Sequence, residues 1–362
     1  MKTVRFAVIG FGNIAKTHMT ALRAMPVIKR LPVVPVLDTL VTRSPDKHAE
    51  QAAAIGFRSV VASPEEAAAA GGIDAFDVCT PNARHPEDVA AAVSAGAAVY
   101  CEKPLSDTYE RSQALVSNAA EHPRLITQLA FTFRYHPAVM RIKGLLESGT
   151  VGDPLQCNIS YRRSGYLNPE RPVSWRLESG MSGGGAISDL GVHVLDLIRH
   201  WFGELAAAGG QTNTYVKRRK DAAGQGWTET DVDDWACIGY TTETGVKGML
   251  EVSRIAFGAD AFEIRIVGSK GSIVCDLERQ AVPAVHVLAG SVPAVPSPAS
   301  LALLPDEKTT MGFAVDSHFG ALHHFLLRLA DEDRYPSLAP SLEDGLKTEY
   351  WIDRILGKDK LV

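Results

Sequence analysis

Apolar residues fall into two textures along the chain, and the change comes near residue 131. Before it, short unbroken apolar runs alternate with alanine-rich stretches. Residues 4–9 form the first run, and later ones end at Val41, Val61, Thr80 and Cys101. Runs of this length bounded by turn residues read as buried strands. Between them, residues 14–24, 64–70 and 86–95 have helical composition. Strands alternating with helices predict a parallel sheet, and a last strand is expected over 125–130.

Beyond residue 131, a helix over 137–147 leads through a Gly-Thr-Val-Gly turn to strands expected at 155–161, 235–240, 246–253, 262–268 and 271–276. Apolar and polar positions alternate along them. Turns at Thr244-Gly245 and Ser269-Lys270-Gly271 join neighbours, which predicts an antiparallel sheet with one exposed face. Such a face wants a partner, for instance a second subunit. Residues 293–305, rich in Pro, Ala and Ser, read as an irregular loop, and apolar spacing over 319–329 and 345–356 predicts two closing helices. Two domains, 1–130 and 131–362, suit a chain of 362 residues.

Composition excludes several functions. With 46% apolar and 22% charged residues the chain has a globular balance, and a net charge of −5 offers no footprint for nucleic acid or an anionic membrane. The one basic run, 217–220, reads as a solvated hairpin or loop. Five scattered cysteines with no Cys-x-x-Cys suit a reducing compartment. The first strand begins almost at Met1, and no apolar segment is long enough for a membrane span, so a cytoplasmic protein is expected.

Candidate chemistry gathers at strand ends. Gly10-Phe11-Gly12-Asn13-Ile14-Ala15 follows the first strand and opens the first helix, the setting in which free backbone N–H groups hold a dinucleotide pyrophosphate. After the second strand, where an acid usually holds the ribose, stand Thr42, Arg43 and Ser44. They suit a 2′-phosphate and favour NADP; alternatively Arg43 stacks on adenine and NAD binds. Asp38 lies too early in its strand to reach a ribose. Thr80, Pro81 and Asn82, with His85 shortly after, are placed to flank the nicotinamide half, or else serve as turn, cap and surface residues. Lys103 follows another strand, and an ammonium there can stabilise a forming alkoxide.

Asp189 and His193 lie four apart after the flexible glycine run Gly183-Gly184-Gly185, and so share one helical face. No third ligand is near, and Leu190, Val194, Leu195 and Ile198 make the helix otherwise apolar, so no metal is expected. A hydride-transfer enzyme acting on a carbinol needs a nucleotide cradle, a cationic anchor and a proton acceptor. Tyr161, Arg163, Tyr166 and Arg176 are polar candidates for substrate hydroxyls.

In order and spacing, Gly10 to Ala15, Thr80-Pro81-Asn82, Glu102-Lys103-Pro104, Trp175-Arg176 and Gly183 to His193 resemble the glucose-fructose oxidoreductase and inositol dehydrogenase family, Gfo/Idh/MocA, over essentially the whole chain. The resemblance implies an N-terminal doubly wound Rossmann domain and a C-terminal α+β domain with a large, predominantly antiparallel sheet that packs homodimers or homotetramers. It implies oxidation of a secondary hydroxyl of a sugar, sugar derivative or cyclitol with NAD or NADP. Lys103 would hold the reacting hydroxyl, His193 would exchange its proton, and Asp189 would bind a neighbouring hydroxyl. Glu102 belongs to the lysine motif, Trp175 would border the cofactor, and Arg134 would line the substrate pocket. The proline-rich stretch before the second strand and the Trp175-Arg176 context are similar to the levoglucosan dehydrogenase branch. Thr132 replaces the asparagine common before Arg134. The family also admits a glycosidase acting by transient oxidation and a non-enzymatic dinucleotide sensor. Lys103 and His193 are expected to face one cleft.

Overall fold

The computed structural model describes residues 2–292, 312–331 and 339–358. The loop expected over 293–305 lies outside the described residues. Contacts divide the chain into two compact units, Met1–Thr132 with Leu303–Leu346 and Phe133–Ala302 with Lys347–Val362.

In the first unit, six strands form one parallel sheet: β1 (Lys2–Ile9), β2 (Val33–Val41), β3 (Ser59–Val61), β4 (Ala75–Val78), β5 (Ala98–Cys101) and β6 (Thr127–Leu129). Their order is β3-β2-β1-β4-β5-β6, and every neighbouring pair is parallel. The order reverses between β1 and β4, the doubly wound Rossmann arrangement in which ligands gather beyond the carboxyl strand ends. The connecting helices are α1 (Asn13–Ile28), α2 (Pro45–Ile55), α3 (Pro64–Ala70), α4 (His85–Ser94) and α5 (Tyr109–Ala120). Sequence periodicity missed α2 and α5, which bury only Ala52 and only Ser112 with Leu115 respectively. A helix so little buried carries a weak apolar stripe.

The second unit begins with α6 (Pro137–Glu147) and β7 (Pro154–Arg162), followed by α7 (Ser179–Ser182), α8 (Val192–Phe202), β8 (Leu205–Asn213), β9 (Arg218–Lys220), β10 (Trp227–Glu229), β11 (Trp235–Thr242), β12 (Lys247–Ser253), β13 (Ala261–Gly268), β14 (Gly271–Asp276) and β15 (Ala284–Val287). Seven of these strands form one sheet, β15-β14-β13-β7-β12-β11-β8, antiparallel throughout except where β7 meets β12. Cys157, Ile159 and Tyr161 of β7 pair with Ile266, Ile264 and Phe262 of β13 on the buried face. The opposite face carries a charged lattice in which Arg162 meets Glu263 at 2.6 Å and Ser160 donates to Glu251 at 2.8 Å. The run Leu-Ala-Ala-Ala-Gly-Gly-Gln-Thr-Asn of β8 lacks strand propensity and is almost wholly exposed; its pairing with β11 makes it a strand.

Two helices close the described chain, α9 (Phe313–Ala330) and α10 (Leu342–Ile355). The expected division placed everything after 130 in the second domain, yet α9 groups with the first unit. Its apolar face packs on α1, and Phe325 meets Phe6 edge-on at 6.3 Å. No described helix is long and apolar enough to cross a membrane.

Two local readings change. The basic run is not simply solvated: Arg219 is fully buried and donates to Asp234 and to the Asn168 carbonyl, each at 3.2 Å. The glycines at 183–185 are not a flexible lead-in either, since all three are buried. The Asp233 carboxylate accepts the Gly185 and Ile187 N–H groups at 2.7 and 2.8 Å, and a Cβ on Gly185 would lie 1.7 Å from the Asp233 carbonyl oxygen. Only glycine permits this approach. Asp233→Ala strands two buried donors and is expected to lower stability by about 1–3 kcal/mol, read as an earlier urea midpoint.

Candidate active site

Backbone geometry shapes the first turn. Gly10 has φ +104°, and a Cβ there would meet the Cys79 carbonyl oxygen at 2.8 Å, so glycine is required by the chain itself. Gly12 is different: its Cβ would enter open space. As the residue before α1 it supplies no side-chain cap, the first turn holds no acid, and Lys16 lies 5.2 Å from the Phe11 ring. Free N–H groups, the positive helix end and a nearby ammonium fit a pyrophosphate. Beyond β2, Arg43 and Ser44 are exposed and Thr42 half-buried, while Asp38 is buried and held by Arg5 at 2.6 Å and Arg58 at 3.1 Å.

At the ends of β4 and β5 the polar groups are tied together. The Thr80 hydroxyl donates to Asp88 at 2.6 Å. Asn82 is buried at the start of a short 3₁₀ turn, with Pro81 before it. His85 is fully buried, and its ring nitrogens each lie 2.9 Å from a carbonyl oxygen, that of Thr80 and that of Pro104. Burial lowers its pKa, with both carbonyls opposing. His85, expected as a cofactor contact, braces the two strand-end loops. Lys103 is half-buried next to buried Glu102, whose carboxylate accepts the Lys103 backbone N–H at 3.1 Å.

Sequence reasoning missed the residues beneath this loop. His18 of α1 donates from Nδ1 to Asp77 of β4 at 2.9 Å, and its Nε2 lies 3.3 Å from Glu102. Burial alone would lower the His18 pKa, but Asp77 and Cys79 outweigh it and hold it well above 6.5. Burial likewise pushes the Glu102 carboxyl up, but the His18 contact, His318 and Lys103 bring it down to about 2. A charged residue inside the buried run Ala-Phe-Asp-Val was the available signal, as was a histidine on the buried face of α1.

In the second unit, a single π-helical turn, Ile187–Gly191, precedes α8 and carries Asp189, half-buried. Such turns concentrate at functional sites. His193 follows in the first turn of α8, 7% exposed, its ring 4.4 Å from that of Phe133. Tyr161 stacks on Phe262 at 4.3 Å, and burial pushes its hydroxyl up to about 12, so it acts as a neutral hydrogen-bonding group. Arg163 lies over the Tyr161 ring and pairs with Glu278 at 2.7 Å. Tyr161 also lies within electrostatic reach of Asp189.

Other expected substrate residues are engaged elsewhere. Arg134 clasps Asp196 through Nε, at 2.9 Å, and Nη2, both side chains being buried. The Tyr166 ring is met by the guanidinium groups of Arg171 and Arg254, at 4.2 and 4.6 Å. The Arg176 guanidinium covers the Trp175 ring at 4.3 Å.

A parallel Rossmann sheet with an open glycine turn in the first unit, and a mainly antiparallel sheet with an Asp/His pair in the second, are the parts of a nucleotide-dependent oxidoreductase. Residues 4–129 match the description "Oxidoreductase family, NAD-binding Rossmann fold", and 139–274 match "GFO/IDH/MocA C-terminal domain". The chain belongs to the Gfo/Idh/MocA family of oxidoreductases, as its motif order implied. It is similar to levoglucosan dehydrogenase of Pseudarthrobacter phenanthrenivorans, 32% identical over 77% of this chain and 75% of that relative. Inositol 2-dehydrogenase of Mycolicibacterium gilvum is 29% identical, over 77% and 72%. A solved levoglucosan dehydrogenase in complex with NADH superposes with a TM-score of 0.88 at 27% identity, covering 98% of this chain and 96% of that one. The resemblance to that branch holds.

The raised His18 pKa has a defined consequence. Its ion pair stabilises the fold fully below pH 6.5, and that contribution is lost as pH rises through the higher folded value. Melting temperature is therefore expected to fall more between pH 7 and 10 in the wild type than in His18→Gln, as differential scanning fluorimetry can measure.

Proposed function

We propose that this protein oxidises a secondary hydroxyl of a sugar, anhydrosugar or cyclitol, reversibly, with a nicotinamide dinucleotide. The observation that carries the reading is His193, buried against Phe133 on the helix that directly follows the turn carrying Asp189, the start of that turn being clamped by Asp233. A buried imidazole held this way can take a hydroxyl proton without competition from bulk water. Asp189 binds a neighbouring hydroxyl and orients the substrate ring. Lys103 hydrogen-bonds the reacting oxygen and stabilises the charge that develops on it as its proton leaves. The cofactor, when bound, supplies the hydride acceptor.

Tyr161 and Arg163 are the substrate-facing residues this reading retains, because the Tyr161 ring meets Phe133, which also meets His193, and the Arg163 guanidinium lies over Tyr161. Arg134 serves through Asp196 instead, holding the start of α6 to α8. Thr42, Arg43 and Ser44 place two hydroxyls and a guanidinium where an acid would repel a 2′-phosphate, which supports use of NADP beside NAD. The second sheet's outer face suits a homodimer or homotetramer.

Assays with both dinucleotides across monosaccharides, anhydrosugars and inositols test the class directly; no turnover on any of them would sink it. With the substrate so found, Lys103→Ala and His193→Ala are each expected to lower kcat by about 10²–10⁴ while dinucleotide binding, followed by fluorescence, persists. Either variant retaining full activity would refute the assigned roles. Arg43→Ala is expected to raise the KM for NADP about 5- to 30-fold more than that for NAD, the loss of roughly 1–2 kcal/mol from one charge-assisted contact.

A further inference from the structure

At one end of the second sheet an ion pair joins the residues that follow two of its strands. Arg163 comes directly after β7 and Glu278 two residues after β14, and Nη1 lies 2.7 Å from Oε1. Both strands run antiparallel to β13, which lies between them, so their last residues fall at the same end of the sheet. The backbone is fixed on each side. The Arg163 N–H donates to the Ser253 carbonyl at 2.7 Å, and the Arg163 carbonyl accepts the Ala256 N–H at 2.8 Å. Leu277 donates to the Phe262 carbonyl at 2.9 Å, and the Glu278 N–H to Asp276 at 3.1 Å.

The side chains are 31% and 21% exposed, so water screens the pair only in part. Burial lowers the Arg163 pKa, but Tyr161 and Glu278 outweigh it and keep the guanidinium a cation. Burial raises the Glu278 pKa, with Arg163 opposing and Asp276 and Asp260 adding to it. Asp189 supplies a further negative charge on the Tyr161 side. The cation over the Tyr161 ring is therefore matched by its own carboxylate and set among other acids. A guanidinium carries five N–H donors, and one carboxylate at Nη1 does not exhaust them. It can still donate to a neutral hydroxyl. A carboxylate on the substrate would have to compete with Glu278 for the same cation, beside acids that repel it.

We propose that Glu278 is a specificity-determining residue: by neutralising the Arg163 guanidinium it restricts the site to un-ionised sugars and cyclitols and excludes sugar acids. This rests on the reading above that Tyr161 and Arg163 face the substrate, and it names the substrate class of that same site.

Matched pairs test it, glucose against glucuronate and galactose against galacturonate, which differ only in a hydroxymethyl or carboxylate group. Binding to the NADH-loaded protein at neutral pH, followed by the fluorescence of the bound dinucleotide, reads affinity without turnover. The wild type is expected to prefer the neutral member of a pair by about tenfold or more, and Glu278→Gln to shrink that preference about tenfold. Glu278→Ala should act in the same direction, which separates loss of charge from any local effect of the new amide. Adding Arg163→Gln to Glu278→Gln should abolish the gain in acid binding, because the released cation is then missing. An unchanged preference in both single variants overturns the inference, as does a gain that survives in the double variant or a wild type that binds the acids as well as the neutral sugars. Neutral sugars that bind and are never oxidised refute the proposed reaction and leave the selectivity to be decided by these ratios. No binding of any member to any of the proteins refutes the sugar-site reading and this inference with it.

Discussion

The His18–Asp77 ion pair is the constraint on which the first unit's working edge depends. It joins the buried face of α1 to the end of β4, and through Glu102 it reaches the end of β5. A buried ion pair is costly unless every remaining lone pair and proton finds a partner. Here His18 meets that condition, with a carboxylate on one ring nitrogen and an imidazole and second carboxylate on the other. The glycine turn at the start of α1 and the lysine loop after β5 are thereby held by the same group of side chains. His85 adds a second brace, tying the Thr80 and Pro104 carbonyls of neighbouring loops.

The second unit solves a comparable problem with a different device. Asp189 and His193 must be presented from the start of a helix, where backbone donors are otherwise unsatisfied. Asp233 takes two of those donors, and glycine at 185 allows the two backbones to approach. The buried pair Arg134–Asp196 fastens the middle of α8 in the same unit. Both units thus hold their candidate residues on or just beside the ends of regular elements and secure those elements with buried carboxylates. That is how a reacting group is kept within a fraction of an ångström of its working position.

Much of this was legible in the chain alone. Strand ends at Val41, Val61 and Cys101 and the helix Pro137–Glu147 follow from apolar runs and their turn residues. The family showed in the order of Gly10 to Ala15, Glu102-Lys103-Pro104 and Asp189 to His193. What escaped notice lacks a periodic signal: β8 is a run of small residues made into a strand by β11, and α2 and α5 bury too little to show a stripe. Arg134 could be read as a ligand because nothing local reveals that Asp196, sixty-two positions away, claims it.

Sequence by itself determined the class of fold, the oxidoreductase family and the candidate reacting residues, because periodicity and glycine turns are local properties of the chain. Tertiary structure decided which polar groups are already committed. It joined His18 to His318 across 300 positions, drew α9 onto the first unit, and gave His85 and Arg134, both expected as ligand contacts, buried partners of their own. The reason is physical: burial makes a charged or polar group take whatever partner the fold brings within about 3 Å, and that partner's distance along the chain leaves no mark in the residues around it.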